Sequence, residues 1–286
     1  MASAAPETVA VGDFEVARVN RALHWWDGGA FFGVVPKTLW SRKIQPDERN
    51  RIAVAFNCYL IRTGRHNILV ETGLGDKRDA RARAFMNVPP VTESLPETLA
   101  RQGIDPESID IVVNSHLHWD HCSGNTVLRA DGVAPAFPLA RYLAPRGEWE
   151  HAHERHPRDR IAYLAEDYDP LVESGQMTLV EGDYEVAPGV WMRRAPGHTR
   201  DMMAITAESR GETFCFLSDL VPTAAHLQPT WVTAFDLNPI QTIDTKLRWL
   251  EAAVEGRWQC AFPHETGLAF ARIARDPKTQ FRVEGA

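Results

Sequence analysis

The chain has 286 residues, 44% of them hydrophobic and nine of them Trp, which is ample for a packed core. Its formal charge of −7 comes from 31 basic and 38 acidic residues with the basic ones scattered, so it lacks the footprint of a nucleic-acid binder. No run of 18 apolar residues occurs, which excludes a transmembrane helix and gives no reason to expect a membrane partner.

Residues 1–11 have neither a basic start nor a continuous apolar stretch, so they do not read as a signal peptide. Residues 1–12 are expected to form a flexible arm and 13–286 a single domain, and the protein is expected to be cytoplasmic. Cys58, Cys122, Cys215 and Cys260 are far apart and three lie in or beside strand-like runs, which suits buried thiols in a reducing compartment. Residues 14–19 alternate and read as a first strand, broken by a turn at 24–29. The apolar stretch 30–39 either packs on its own core or forms an arm that lines a pocket or a dimer interface. A homodimer is expected.

Residues 53–61 and 67–71 read as paired strands. In 93–102, Leu95 and Leu99 are four apart, a helical stripe that Gly103 would terminate. Asp105-Pro106 offers an N-cap followed by Pro, so a short helical turn should precede a strand at 109–113. Residues 137–143 read as a strand and 146–156 as a polar helix. His151 and His153 on that helix face about 200° apart, so they cannot share an ion and are expected on a solvated face. Short runs at 177–180, 184–186, 190–195, 202–207 and 213–217 are divided by Gly, Asp or Pro and read as a second strand-rich half. An amphipathic helix at 243–254 and a last strand at 258–262 follow.

The densest chemistry lies after the 109–113 strand. Residues 115–125 read S-H-L-H-W-D-H-C-S-G-N, and within them His116, His118, Asp120 and His121 form H-x-H-x-D-H. An extended H-x-H points both imidazoles to one side. Asp120 and His121 are adjacent, so they cannot both face the same ion without a turn. Two metals, one for each pair, is the natural reading. Imidazole with carboxylate suits Zn, and also Fe, Mn or Co. Further ligands stand where strands give way to loops: His198 in P-G-H-T, Asp219 after 214–217 and His264 after 261–263.

In this order the motifs resemble the metallo-β-lactamase-fold hydrolase superfamily, with the likeness running from Glu71 to His264. Residues 27–35 (D-G-G-A-F-F-G-V-V) and 218–227 (S-D-L-V-P-T-A-A-H-L) are similar to the branch that holds quorum-quenching lactonases and methyl parathion hydrolase. The resemblance implies an α+β fold, an αββα sandwich of two similar halves, with two metals at one edge between the sheets. It implies that His116, His118 and His198 hold one ion, that Asp120, His121 and His264 hold the other, and that Asp219 bridges them. Well-known β-lactamases carry Cys at the position of Asp219, which argues against β-lactam hydrolysis. Scattered basic charge argues against the ribonuclease members. Glu71 stands where the superfamily normally has an Asp that orients a ligating His.

The expected activity is lactonase: opening of an N-acyl homoserine lactone or related ring by a hydroxide shared between two divalent ions, which lie about 3.5–4 Å apart in such sites. The alternatives are a phosphotriesterase or arylesterase of the same fold and, from another class, a di-iron redox protein. The candidate catalytic residues are Asp120, Asp219 and His226. Related lactonases place Tyr three residues after the bridging Asp; here that residue is Pro222, so His226 is expected to face the substrate instead. Trp25, Trp26, Phe31, Phe32, Phe85, Trp119 and Trp231 are candidates for an aromatic pocket wall.

Overall fold

The computed structural model describes residues 7–88 and 93–285, apart from the side chains of Arg21, Phe85 and Met86. Alternation along the strands decides the layering. In neighbouring strands Leu60, Leu69, Val112 and Tyr142 face one way, while Ile61, Val70, Val113 and Leu143 face the other. All eight are buried. Such double-sided burial requires a cover on each face, so this sheet is an inner layer.

The first sheet runs Glu7–Val11, Phe14–Asp27, Arg51–Arg62, Asn67–Val70, Ile111–Val113, Arg141–Pro145, Met177–Val180. Its first three pairings are antiparallel and its last three parallel. The second sheet runs Tyr184–Ala187, Val190–Arg194, Met203–Ser209, Glu212–Phe216, Gln259–Ala261, with only the last pairing parallel. Ile61, Val70 and Val113 meet Met192, Ile205 and Phe216 to form the core between the sheets. The helices Leu95–Arg101, Arg146–Glu154 and Asp169–Glu173 cover the outer face of the first sheet through Leu99, Ala152 and Leu171. Pro239–Glu255 covers the second through Leu250 and Ala253. The architecture is the expected αββα sandwich, with halves of seven and five strands.

Several local expectations are corrected. Most of the supposed arm 1–12 that lies within the described residues is a strand: Glu7–Val11 pairs with residues 14–18 around the turn at Gly12-Asp13. Val11 and Val16 are fully buried, and Arg18 forms an ion pair with Glu7. The alternating T-V-A-V had the strand pattern, and burial of its apolar face is what holds it in the sheet. Residues 1–6 lie outside the described residues. The turn expected at 24–29 is instead the end of a 14-residue strand, Phe14–Asp27, which leads into a helical turn at Gly28–Phe32. Residues 30–39 pack on their own small core, where Phe31, Phe32 and Trp40 join Ile52, Val54 and Trp231. The strand expected from residue 137 begins at Arg141. His153 is exposed as expected, whereas the His151 side chain is largely covered and its Nε2 lies 2.7 Å from Asp159 Oδ2.

The predicted cap of Leu95–Arg101 gains a detail: Ser94 and Glu97 form a reciprocal capping box, and Gly103 beyond its end has φ +78. No described helix is long and apolar enough to cross a membrane.

Candidate metal centre

The parallel strand Ile111–Val113 gives way to a bend at Ser115-His116, and the chain is extended again at His118 (φ −67, ψ 146) before a single helical turn, Trp119–Cys122. That turn reconciles Asp120 with His121, since it swings both to one side. The turn is pinned because Thr72 and Gly73 both donate their N–H to the His121 carbonyl, at 2.9 and 3.0 Å. The following Gly124 passes so close that an added Cβ would lie 2.4 Å from the Thr72 carbonyl oxygen.

His198 follows Gly197, whose φ of +146 and contact with Thr242 leave no room for a side chain. Asp219 lies on a 3-10 turn entered through Ser218, which has φ +50. His264 is fixed by the third strand of the first sheet, Arg51–Arg62: its Nδ1 donates to the Ala55 carbonyl at 2.9 Å, and Asn57 donates to the carbonyls of Phe262 and Glu265.

Seven side chains converge into two clusters. In the first, His118 Nδ1 lies 3.1 Å from His116 Nε2 and 3.2 Å from His198 Nε2. In the second, His264 Nε2 lies 3.5 Å from Asp120 Oδ2 and 3.0 Å from Asp219 Oδ1, and His121 Nε2 lies 3.5 and 3.4 Å from the same two oxygens. Asp219 belongs to both, because its Oδ2 is 3.3 Å from His198 Nε2. All seven are buried.

The spacings of 3.3–3.5 Å among His121, His264, His198, Asp120 and Asp219 are those of donors arranged around a cation. Ligand bonds of about 2.0–2.2 Å give tetrahedral edges of about 3.3–3.6 Å. His121 Nε2 and Asp219 Oδ1 are buried with no hydrogen-bond partner among the described residues, as expected of lone pairs aimed at a cation. The imidazole nitrogens turned away from the clusters are held from behind. His198 Nδ1 sits 2.9 Å from Asp236 Oδ1, His116 Nδ1 3.0 Å from Ser115 Oγ, and His121 Nδ1 3.5 Å from Glu71 Oε1. Each outer partner sets a tautomer and a ring angle. Glu71 stands behind His121 with φ +60, and its Oε1 also accepts from the Ser115 N–H.

The electrostatics agree. Burial, reinforced by neighbouring imidazoles, holds His116 and His118 well below the usual histidine range, so both are neutral. Burial would raise the Asp219 carboxyl, but His264, His121 and His198 overcome it and hold the carboxyl well below its usual range. Burial would lower His121, but Asp219 and Asp120 overcome it and push the imidazole up. A carboxylate so firmly ionised among imidazoles marks a place where a cation displaces protons.

The clusters form the floor of a cleft of about 580 Å³, lined above His118, Asp120, His198 and Asp219 by Trp26, Trp119, Ile161, Ala162, Ala234 and Phe235. Of the aromatic candidates, Trp26 and Trp119 line this cleft. Phe31, Phe32 and Trp231 lie in the core, Trp25 is exposed on the opposite face of its strand, and Phe85 falls outside the described side chains. His226 is corrected: it is fully buried and does not line the cleft. Its Nδ1 lies 2.8 Å from Thr223 Oγ1, its Nε2 lies 3.0 Å from the Phe31 carbonyl, and its ring stacks on Phe32 at 4.7 Å. Burial, with Lys246 nearby, lowers its pKa to about 3, so it is a neutral packing residue. Sequence reasoning missed Phe235, Asp236 and Asp159, which carry no motif of their own. The free thiols of Cys58, Cys122, Cys215 and Cys260 are buried as expected.

The family model of the metallo-beta-lactamase superfamily matches residues 53–254. The chain belongs to that superfamily. Among curated relatives, an N-acyl homoserine lactonase from Bacillus sp is 32% identical over 161 residues, which is 53% of this chain and 58% of that protein. The N-acyl homoserine lactonase AiiB of Agrobacterium fabrum is 27% identical over 62% of this chain and 67% of its own. The match thus spans little more than half the length of the Bacillus relative. A probable metal-dependent hydrolase from Staphylococcus aureus superposes with a TM-score of 0.86 at 28% identity, over 97% of this chain and 99% of the other. The dizinc quorum-quenching lactonase AidC shares the fold, with a TM-score of 0.76 at 17% identity over 98% and 96%.

Proposed function

We propose that this protein is a dinuclear metal-dependent hydrolase that opens lactone rings. The observation that carries the reading is Asp219, whose two carboxylate oxygens face the two clusters, Oδ2 toward His198 and Oδ1 toward His121 and His264. His116, His118 and His198 would hold one ion, and Asp120, His121 and His264 the other, with Asp219 shared. Two divalent ions in such a site acidify a water and polarise the carbonyl under attack. The donor set of imidazole and carboxylate is that of zinc sites, and we assign zinc.

The chain's own residues do the rest. The apolar wall of Trp26, Trp119 and Phe235 excludes water and seats an acyl tail above the floor. Asp120 lines the cleft, and its carboxylate is assigned the proton transfer from the attacking water to the ring oxygen. The acyl carbon–oxygen bond breaks, the carbonyl carbon keeps the new oxygen, and the product is a hydroxy acid. The named activity of the relatives supports the lactone assignment. The four buried free thiols support a reducing compartment.

The test is kcat/KM for N-acyl homoserine lactones, simple γ- and δ-lactones, aryl acetates and dialkyl aryl phosphotriesters under one metal condition. The reading requires a lactone to lead. A triester that exceeds every lactone overturns it in favour of a phosphotriesterase on the same metal site.

A further inference from the structure

Glu148 stands in the first turn of the helix Arg146–Glu154, yet its exposure is only 1%. Its carboxylate collects donors from three separate segments. Leu117 N–H, between His116 and His118, donates to Oε2 at 3.4 Å. The Tyr163 hydroxyl donates to the same oxygen at 3.0 Å, and the Thr199 hydroxyl, next to His198, donates to Oε1. The helix comes this near because Gly147 has no side chain: an added Cβ would lie 2.1 Å from Asp201 Oδ2, on the loop that follows His198. Tyr163 follows the cleft-wall loop that carries Asp159 and hangs on Trp119, whose N–H donates to the Ala162 carbonyl at 2.8 Å. Burying a carboxylate costs free energy that an apolar side chain of similar volume avoids, and what it adds is fixed direction.

One ligand depends on this carboxylate more than the rest. His118 faces the first cluster through Nδ1, and its Nε2 is buried with no hydrogen-bond partner among the described residues. The outward nitrogens of His116, His198 and His264 each have one. His118 is instead packed edge-on against the Tyr163 ring, with centroids 4.8 Å apart at 66°, and the hydroxyl of that ring is the one Glu148 holds. We infer that Glu148 is the positioning residue of the first metal cluster: it sets Leu117, Tyr163 and Thr199 at once, and through them the imidazoles of His116, His118 and His198. This rests on the two-ion part of the proposed function and not on the lactone substrate. The second cluster is held by other groups, Glu71 behind His121 and the Ala55 carbonyl behind His264. Loss of Glu148 therefore weakens one ion and spares the other.

The test is competition between the protein and a chelating dye for zinc, which gives two stepwise dissociation constants. Glu148→Ala should raise one of them by about 10- to 100-fold and leave the other within about threefold. The affected step should be the one that Asp236→Ala weakens, because Asp236 stands behind His198 of the same cluster. Glu148→Gln keeps an oxygen for Leu117 and Tyr163 and offers its amide to Thr199 Oγ1, so it should recover to within about threefold of wild type. Thr199→Val and Tyr163→Phe each remove a single bond and should weaken the same step by about 2- to 10-fold. A merely structural role would lower the melting temperature of the variants while moving both steps together or neither, and either result overturns the inference. If Glu148→Ala does not fold, Thr199→Val and Tyr163→Phe decide, and unchanged constants in both overturn it. Wild type that takes up fewer than two ions contradicts the two-ion reading, and the inference with it, before any variant is compared.

Discussion

Asp236 Oδ1 lies 2.9 Å from His198 Nδ1, and the opposite nitrogen of that imidazole lies 3.3 Å from Asp219 Oδ2. A carboxylate–imidazole–carboxylate line therefore runs through the first cluster. Thr233 donates its hydroxyl to the same Asp236 oxygen at 2.7 Å, which fixes the carboxylate in turn.

Asp236→Ala should loosen His198 and weaken metal binding by about 10- to 100-fold, as loss of an orienting partner does elsewhere. Asp236→Asn, which can still accept from Nδ1–H, should lose less. Competition with a chelating dye gives the affinities. Equal affinity in wild type and Asp236→Ala would mean that His198 is positioned by the backbone alone.

His226→Ala should cost stability rather than chemistry. It removes a ring stacked on Phe32 and two hydrogen bonds inside the core, so unfolding free energy should fall by about 2–4 kcal/mol. Below the lowered melting temperature, kcat/KM should stay within about threefold of wild type, because the chemistry of the cleft is untouched. A loss of about 100-fold in turnover with unchanged stability would restore the substrate-facing role.

His24 is fully buried against Trp26 and Phe56, and neither ring nitrogen has a partner among the described residues. Burial lowers its pKa to about 4 from the ordinary 6.5. As pH falls, the unfolded chain takes up the proton first, so this group's contribution to stability is complete above pH 6.5 and lost on descending towards pH 4, by up to about 3 kcal/mol. His24→Phe removes that loss. Its advantage over wild type in urea unfolding should widen from pH 7 to pH 5, and a constant difference would show that the imidazole finds a proton acceptor.

Lys246 is buried, with its ammonium donating to the carbonyls of His226 at 3.2 Å and Trp231 at 2.6 Å. Burial brings its pKa down from 10.5 to about 8. Between those values the unfolded chain holds a proton that the folded one has shed, so the group stabilises more as pH rises through that window. Wild type should gain on Lys246→Met by up to about 3 kcal/mol between pH 8 and pH 10.5. Unfolding free energies at pH 7, 8.5 and 10 check this. A flat or shrinking difference would mean that the folded amine keeps its proton through that window.

What could be read from the sequence was local. H-x-H-x-D-H declares its chemistry within six positions, and Pro196-Gly197 and the strand-end Asp219 carry nearby turn and strand signals. The αββα layering was what the family resemblance carried by those motifs implied, and the two strand-rich halves suited it. The rest depended on convergence over long separations. Asp236 matters because Leu237 N–H donates to the His198 carbonyl, and Asp159 because its loop hangs on Trp119. His226 was misjudged because its distance in sequence from Asp219 says nothing about direction. The 3-10 turn Ala224–Leu227 aims the ring at the Phe31 carbonyl and away from the cleft. Trp25 and Trp26 look equivalent as letters, yet strand alternation sends only Trp26 inward.

The central claim is the pair of ions, and metal content measured against activity tests it most directly. Protein purified without chelator should carry about two divalent ions per chain by elemental analysis. His118→Ala should disturb the first cluster, and Asp219→Ala both. Each variant should lose at least one ion, and lactone hydrolysis with it. Chelation should abolish turnover, and added zinc should restore it. A metal-free preparation that hydrolyses lactones at the full wild-type rate would contradict the account.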